Sequence, residues 1–160
     1  MATENTNLSH YDKTTLPDVS SRRFGIVVAQ WNSHITEALY KGTYATLTDC
    51  GVPPQSIIRR NVPGSFELVY AAKQMLQTER FDAVIAIGSV IRGETPHFHF
   101  VCNATANGIQ QLNADPRYRA PVIFCVLTDD TLEQAQDRSG GKHGNKGVEA
   151  AIAAIKMTVL

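Results

Sequence analysis

Residues 88–101 read Gly-Ser-Val-Ile-Arg-Gly-Glu-Thr-Pro-His-Phe-His-Phe-Val, which sets a histidine at the end of a turn containing glycine and threonine. The run 83–87 before it is apolar and β-branched, with the texture of a buried parallel strand. From about residue 96 to 112 the pattern is helical. Thr95 is the expected N-cap, with Pro96 at the first helical position, where a missing N–H costs nothing. His97 then stands in the first turn, beside free N–H groups and the positive end of the dipole. Such an end favours an anion such as phosphate, and an uncharged imidazole. The pair suits chemistry in which protons move while phosphate departs.

Other residues could join it. Trp31, the only tryptophan, follows a predicted strand, where it could stack on a flat heterocycle or pack into a core or interface. Glu67 falls in a first helical turn, where a carboxylate suits the dipole and could also accept from ligand hydroxyls. Arg92 and Arg138 can pair with phosphate or with nearby carboxylates, and spacing leaves both open. A zinc site at His97 and His99 with Cys102 or His143 is disfavoured, because helix positions two apart point to opposite sides. The glycine-rich stretch 140–147 lacks the order of a nucleotide-binding phosphate loop, and no GxGxxG follows the first strand.

These residues need a scaffold. Strands are expected at 24–30, 56–62, 83–87 and 121–127, each followed by a helical segment, with a last helix after the loop 139–146. Ile35, Ala38, Leu39, Gly42 and Ala45 should line the inner face of the first helix, which Gly51 ends. Ser65 should cap the second helix, whose inner stripe is Leu68, Ala72 and Met75. The segment from Thr128 should open a short helix to Arg138, and Val148, Ile152, Ile155 and Val159 should face inward on the last. Four β-then-α units predict an α/β fold: a three-layer α/β/α sandwich on a four-stranded parallel sheet. Ligands of such folds bind beyond the carboxyl ends of the strands, where Trp31, Glu67 and His97 all fall.

Composition narrows the class. At 160 residues the chain suffices for one full core, and residues 1–21 form a polar arm ahead of a single domain, 22–160. With 43% apolar and 19% charged residues it has a globular profile. Zero net charge and no basic run longer than two argue against nucleic acid as the main partner. Three widely spaced cysteines without CxxC suggest reduced thiols in a cytosol, and neither a signal core nor a membrane-spanning run is expected.

The segments 62–67 (VPGSFE), 88–97 with VIRGxTxH, Thr128 with Glu133, Gln134, Ala135 and Arg138, and 144–147 (GNKG) together resemble the lumazine synthase family. The resemblance covers about residues 24–158, in order. It implies a flavodoxin-like transferase of riboflavin biosynthesis, which condenses 5-amino-6-(D-ribitylamino)uracil with 3,4-dihydroxy-2-butanone 4-phosphate. The products are 6,7-dimethyl-8-ribityllumazine, phosphate and water. No metal or organic cofactor is implied.

By the same resemblance Trp31 stacks on the pyrimidine, bordered by Asn32. Ser65, Phe66 and Glu67 hold the ribityl chain and ring, and Ser89, Val90 and Ile91 contact the uracil. Gly93, Glu94 and Thr95 cradle phosphate, and His97 is the general acid/base. Phe124 and a phosphate-binding Arg138 come from the neighbouring subunit, with Lys146 a further site residue. Two positions depart from the pattern: Trp31 stands where Phe is frequent, and Glu94 where a small residue or Asp is frequent. The implied assembly is a cytoplasmic homo-pentamer; the short loop 139–147 favours further growth into an icosahedral shell, the arm adding to a neighbour's sheet. Riboflavin synthase is a conceivable partner; a membrane or nucleic acid is not.

Overall fold

The computed structural model describes residues 9–160. Its frame is β1 (Phe24–Ala29), α1 (Ser33–Asp49), β2 (Ile57–Val62), α2 (Leu68–Thr78), β3 (Ala83–Ile91), α3 (His97–Ala114) and β4 (Val122–Asp129). After these come α4 (Leu132–Arg138), a small hairpin of β5 (Ser139–Gly141) and β6 (Gly144–Asn145), and α5 (Lys146–Met157). The main sheet has the order β2-β1-β3-β4, and every pairing in it is parallel. β1 is buried along its whole length, as a central strand covered on both faces must be.

Alternation along the strands builds two half-cores. Phe24, Ile26 and Val28 of β1, with Ile85 and Ile87 of β3, pack against Ile35 and Leu39 of α1 and Ala151 and Ile155 of α5. Val27, Ala29, Val84 and Ala86 point the other way, onto Leu68, Ala72 and Met75 of α2 and Ile109 and Leu112 of α3. The expected three-layer α/β/α architecture is therefore present. The described part of the N-terminal segment lies on its own chain: Val19 is fully buried, and Lys13 pairs with Asp49 at 3.0 Å. The arm's first eight residues lie outside the described ones.

Several local expectations need correction. β3 runs to Ile91, because pairing with β4 continues from Gly88↔Val126 to Ile91↔Asp129; residues 88–91 are strand, not loop. β4 likewise continues through Asp129, so α4 is capped by Thr131, whose hydroxyl accepts from Gln134 N–H, and Thr128 is strand. The glycine-rich loop holds the β5–β6 hairpin. On α1 the buried face is Ile35, Thr36, Leu39, Thr43, Thr46 and Leu47, and Ala45 is exposed. On α5 the buried stripe is Gly147, Ala150, Ala151, Ala154 and Ile155, while Val159 is exposed. Small residues line it because α1 and α5 lie very close: a Cβ at position 147 would overlap the Leu39 carbonyl. Thr43 Oγ1 donates to the carbonyls of both Leu39 and Gly147 at 3.0 Å across this contact.

Among the described residues no helix is long and apolar enough to cross a membrane.

Candidate active site

At the carboxyl end of the sheet a cleft of about 590 Å³ opens between the ends of β1, β2 and β3 and the start of α3. Its size lies within the usual range for small-molecule sites, roughly 300–1,000 Å³. Trp31 and Asn32 enter it from the end of β1. The ladder continues past β1 there, with Gln30 N–H donating to the Val62 carbonyl at 2.8 Å and Trp31 N–H to the Pro63 carbonyl at 3.0 Å. Asn32 then turns into the left-handed region at φ 56°, the only non-glycine among the described residues with positive φ. Asparagine tolerates that region better than most residues. It precedes α1 without a side-chain cap; Nδ2 donates instead to the Ser89 carbonyl at 3.0 Å. Trp31 is left 73% exposed at the rim, so it is not the core tryptophan that burial preferences would favour.

A 3-10 turn, Ser65–Glu67, forms the second wall and leads directly into α2. Ser65 is not a cap: its buried hydroxyl has no partner, and its carbonyl accepts from Thr105 Oγ1 at 3.2 Å. Gly88 must lack a side chain here, since a Cβ would stand 2.5 Å from Ser65 Oγ. Glu67 reaches back so that Oε2 accepts from Gly64 N–H at 3.0 Å, and Oε1 has no partner among the described residues. Ser89 Oγ is the second buried hydroxyl on the cleft without a partner. Buried hydroxyls of this kind cost free energy until something hydrogen-bonds them.

The third wall is the loop between β3 and α3. Pro96, in a right-handed helical conformation, holds the cap position of α3, and no hydrogen bond from Thr95 Oγ1 caps the turn. His97 stands in the first turn as expected. The N–H groups of Gly93, Glu94, Thr95, His97 and Phe98 find no acceptor among the described residues. Five free amides at the positive end of an 18-residue helix make a bed for an anion.

Of the residues singled out in the sequence, Trp31, Asn32, Ser65, Phe66, Glu67, Ser89, Val90, Ile91, Gly93, Thr95 and His97 all line this cleft. Gly64, Phe98 and Val101 line it too and were not foreseen; for Val101, four places after His97 and so on the same helix face, that spacing was the available signal. Glu94, Phe124, Arg138 and Lys146 do not line it. Phe124 packs against the α2–α3 half-core. Arg138 is only 13% exposed; it donates to Glu149 Oε1 at 2.6 Å and to the His143 carbonyl at 2.9 Å. Lys146 Nζ lies 3.6 Å from the other Glu149 oxygen, so one carboxylate serves both cations. Burial raises the pKa of the nearby Asp129 carboxyl above its usual range; Arg138 opposes the shift and Asp130 adds to it. His97 lines the cleft while His99 turns to Arg92, and no His, Cys, Asp or Glu cluster suited to a metal ion occurs among the described residues.

Comparison with known proteins agrees in one direction. The family model described as 6,7-dimethyl-8-ribityllumazine synthase matches residues 21–160. A protein of that name from Flavobacterium johnsoniae is 62% identical over 160 residues, covering 100% of this chain and 83% of its own. One from Flavobacterium psychrophilum is 59% identical, covering 100% and 84%. One from Parabacteroides distasonis is 52% identical, covering 98% and 97%.

Proposed function

The chain belongs to the 6,7-dimethyl-8-ribityllumazine synthase family, and from that premise we propose how its residues divide the work of the reaction. The activity is that of a riboflavin-biosynthesis transferase: 5-amino-6-(D-ribitylamino)uracil and 3,4-dihydroxy-2-butanone 4-phosphate condense to the lumazine, releasing phosphate and water. The substrate's amine is itself the nucleophile, so the protein supplies orientation, proton transfer and anion binding. Trp31 stacks on the pyrimidine, beside Asn32 and the strand end Ser89, Val90 and Ile91. Glu67 Oε1 takes up ribityl hydroxyls, next to Ser65 and Phe66. The amides of Gly93, Glu94 and Thr95 receive the phosphate. His97 moves protons as the C–N bond forms and water leaves.

The observation that carries this division is the convergence of the rim tryptophan, the half-free Glu67, the unpaired amides of Gly93, Thr95, His97 and Phe98, and the His97 side chain on one cleft. Phe124, Arg138 and Lys146 complete a neighbour's site in a cytoplasmic homo-pentamer that builds an icosahedral shell, with the N-terminal arm added to an adjoining sheet and riboflavin synthase as a partner. Exposed aromatics on α2 and α3, Tyr70 at 69% and Phe100 at 72%, are surface that a second copy would cover. The three free cysteines suit a reducing compartment. The test combines lumazine formation from the two substrates with the native mass of the purified protein. Turnover by a protein that sediments as a monomer would break the shared-site part of the reading.

A further inference from the structure

Arg92 lies between the end of β3 and the turn bearing Gly93, Glu94 and Thr95, yet it does not line the cleft. Its guanidinium is engaged on two sides. Nε donates to Asp130 Oδ1, on the turn into α4. Nη1 donates to His99 Nε2 at 3.0 Å, and the guanidinium carbon lies 4.5 Å from the centre of the Phe98 ring. Phe98 and His99 meet edge to face, with ring centroids 5.4 Å apart. Asp130 is itself anchored, because its N–H and that of Thr131 donate to Gln134 Oε1 at 2.8 and 3.2 Å.

We infer that Arg92 is a positioning residue for His97: gripping Phe98 and His99 on one side and Asp130 on the other, it sets where the first turn of α3 stands over the cleft. This rests on the role proposed above for His97. The guanidinium is a rigid planar fork, so holding two partners at once fixes the distance between them, which a lysine ammonium on a flexible stem does not do. The pair with Asp130 is 43% and 61% exposed on its two side chains, and exposed pairs add little to stability. Its effect is therefore on geometry rather than on folding. A misplacement of about 1 Å can cost on the order of 100-fold in rate.

The test uses the full chain, with kcat and KM for both substrates measured across pH for Arg92→Gln, Arg92→Lys, His97→Asn and the double variant Arg92→Gln/His97→Asn. Arg92→Gln is expected to lower kcat by about 10- to 100-fold, with both KM values and the thermal midpoint nearly unchanged. Arg92→Lys falls between it and the parent. Added to His97→Asn, Arg92→Gln should cost little more, because the side chain it positions is already gone. A second full loss in the double variant would overturn the inference, and so would a rise confined to KM for the phosphate substrate, which would make Arg92 a phosphate ligand. Full activity in His97→Asn alone would instead remove the role of His97, and the inference with it. Should Arg92→Gln not fold, Asp130→Ala removes the acceptor on the other side of the grip; an undiminished kcat there would equally end the proposal.

Discussion

The side-chain amide of Asn32 donates to the Ser89 carbonyl at 3.0 Å, joining the end of β1 to the end of β3 across the floor of the cleft. The bond compensates a left-handed backbone at φ 56° and fixes the direction in which Trp31 leaves the sheet. An exposed aromatic held by its backbone is a stacking surface already in place.

Trp31→Ala should therefore raise KM for the pyrimidine substrate by about 10-fold, since stacking on an aromatic is worth roughly 1–3 kcal/mol per base. Trp31→Phe should recover most of the loss. The thermal midpoint should not move, because the ring is 73% exposed. The only tryptophan also gives a direct fluorescence titration of ligand binding.

His97→Asn should lower kcat by about 100-fold or more, the usual scale for loss of a positioned acid or base. Stability should be unaltered, because the side chain is exposed. Unchanged turnover would assign the proton transfers to the substrates or to solvent.

Arg138→Ala should act on two properties. In the assembled enzyme it should weaken use of the phosphate substrate, read as a rise in that KM. It also removes the short partner of Glu149, leaving that carboxylate to Lys146 at 3.6 Å, at a cost of about 2 kcal/mol in stability. Glu149→Gln shares the stability loss without removing the guanidinium, so comparing the two separates the effects.

The half-buried Asp129 should make stability pH-dependent in a defined sense. Its folded pKa is raised above the ordinary carboxylate value of 3.8, chiefly by burial. The folded state then holds its proton more tightly than the unfolded chain, so its contribution is fully present below 3.8 and is lost as pH rises through the folded pKa. Asp129→Asn should remove that decline, and its thermal midpoint relative to the parent should rise from pH 4 to pH 7.

Gly147→Ala should destabilise the fold by about 3 kcal/mol, the upper end for overpacking, because the added methyl meets the Leu39 carbonyl. Chemical denaturation measures this directly. A neutral effect would mean that α1 and α5 separate easily.

Unbroken apolar, β-branched runs announced the central strands, and Gly51 marked the end of α1, because these signals act within a few residues. Other features depended on partners distant in sequence. Gly88 and Ser89 have the look of a turn, yet pairing with Val126 and Leu127 keeps them in strand. Of the large apolar residues expected inward on α5, Ile155 is buried and Ile152 packs against the core, but Val159 is exposed and the rest of the stripe is glycine and alanine, since helices this close select small residues at the contact. Trp31, Glu67 and His97 were legible because they follow successive strands; the other residues of the cleft were named only through the family resemblance. The grip of Glu149 on Arg138 was not legible, since it needs α4 and α5 brought together around the β5–β6 hairpin.

The ladder of β3 and β4 closes with Arg92 N–H donating to the Asp129 carbonyl at 2.9 Å, immediately before the turn into α3. Only five residues, 92–96, join this ladder to α3, which is short for a lid. Reactants then come and go through an ungated mouth, and turnover should be insensitive to solvent viscosity, with bond making rather than loop opening as the slow event.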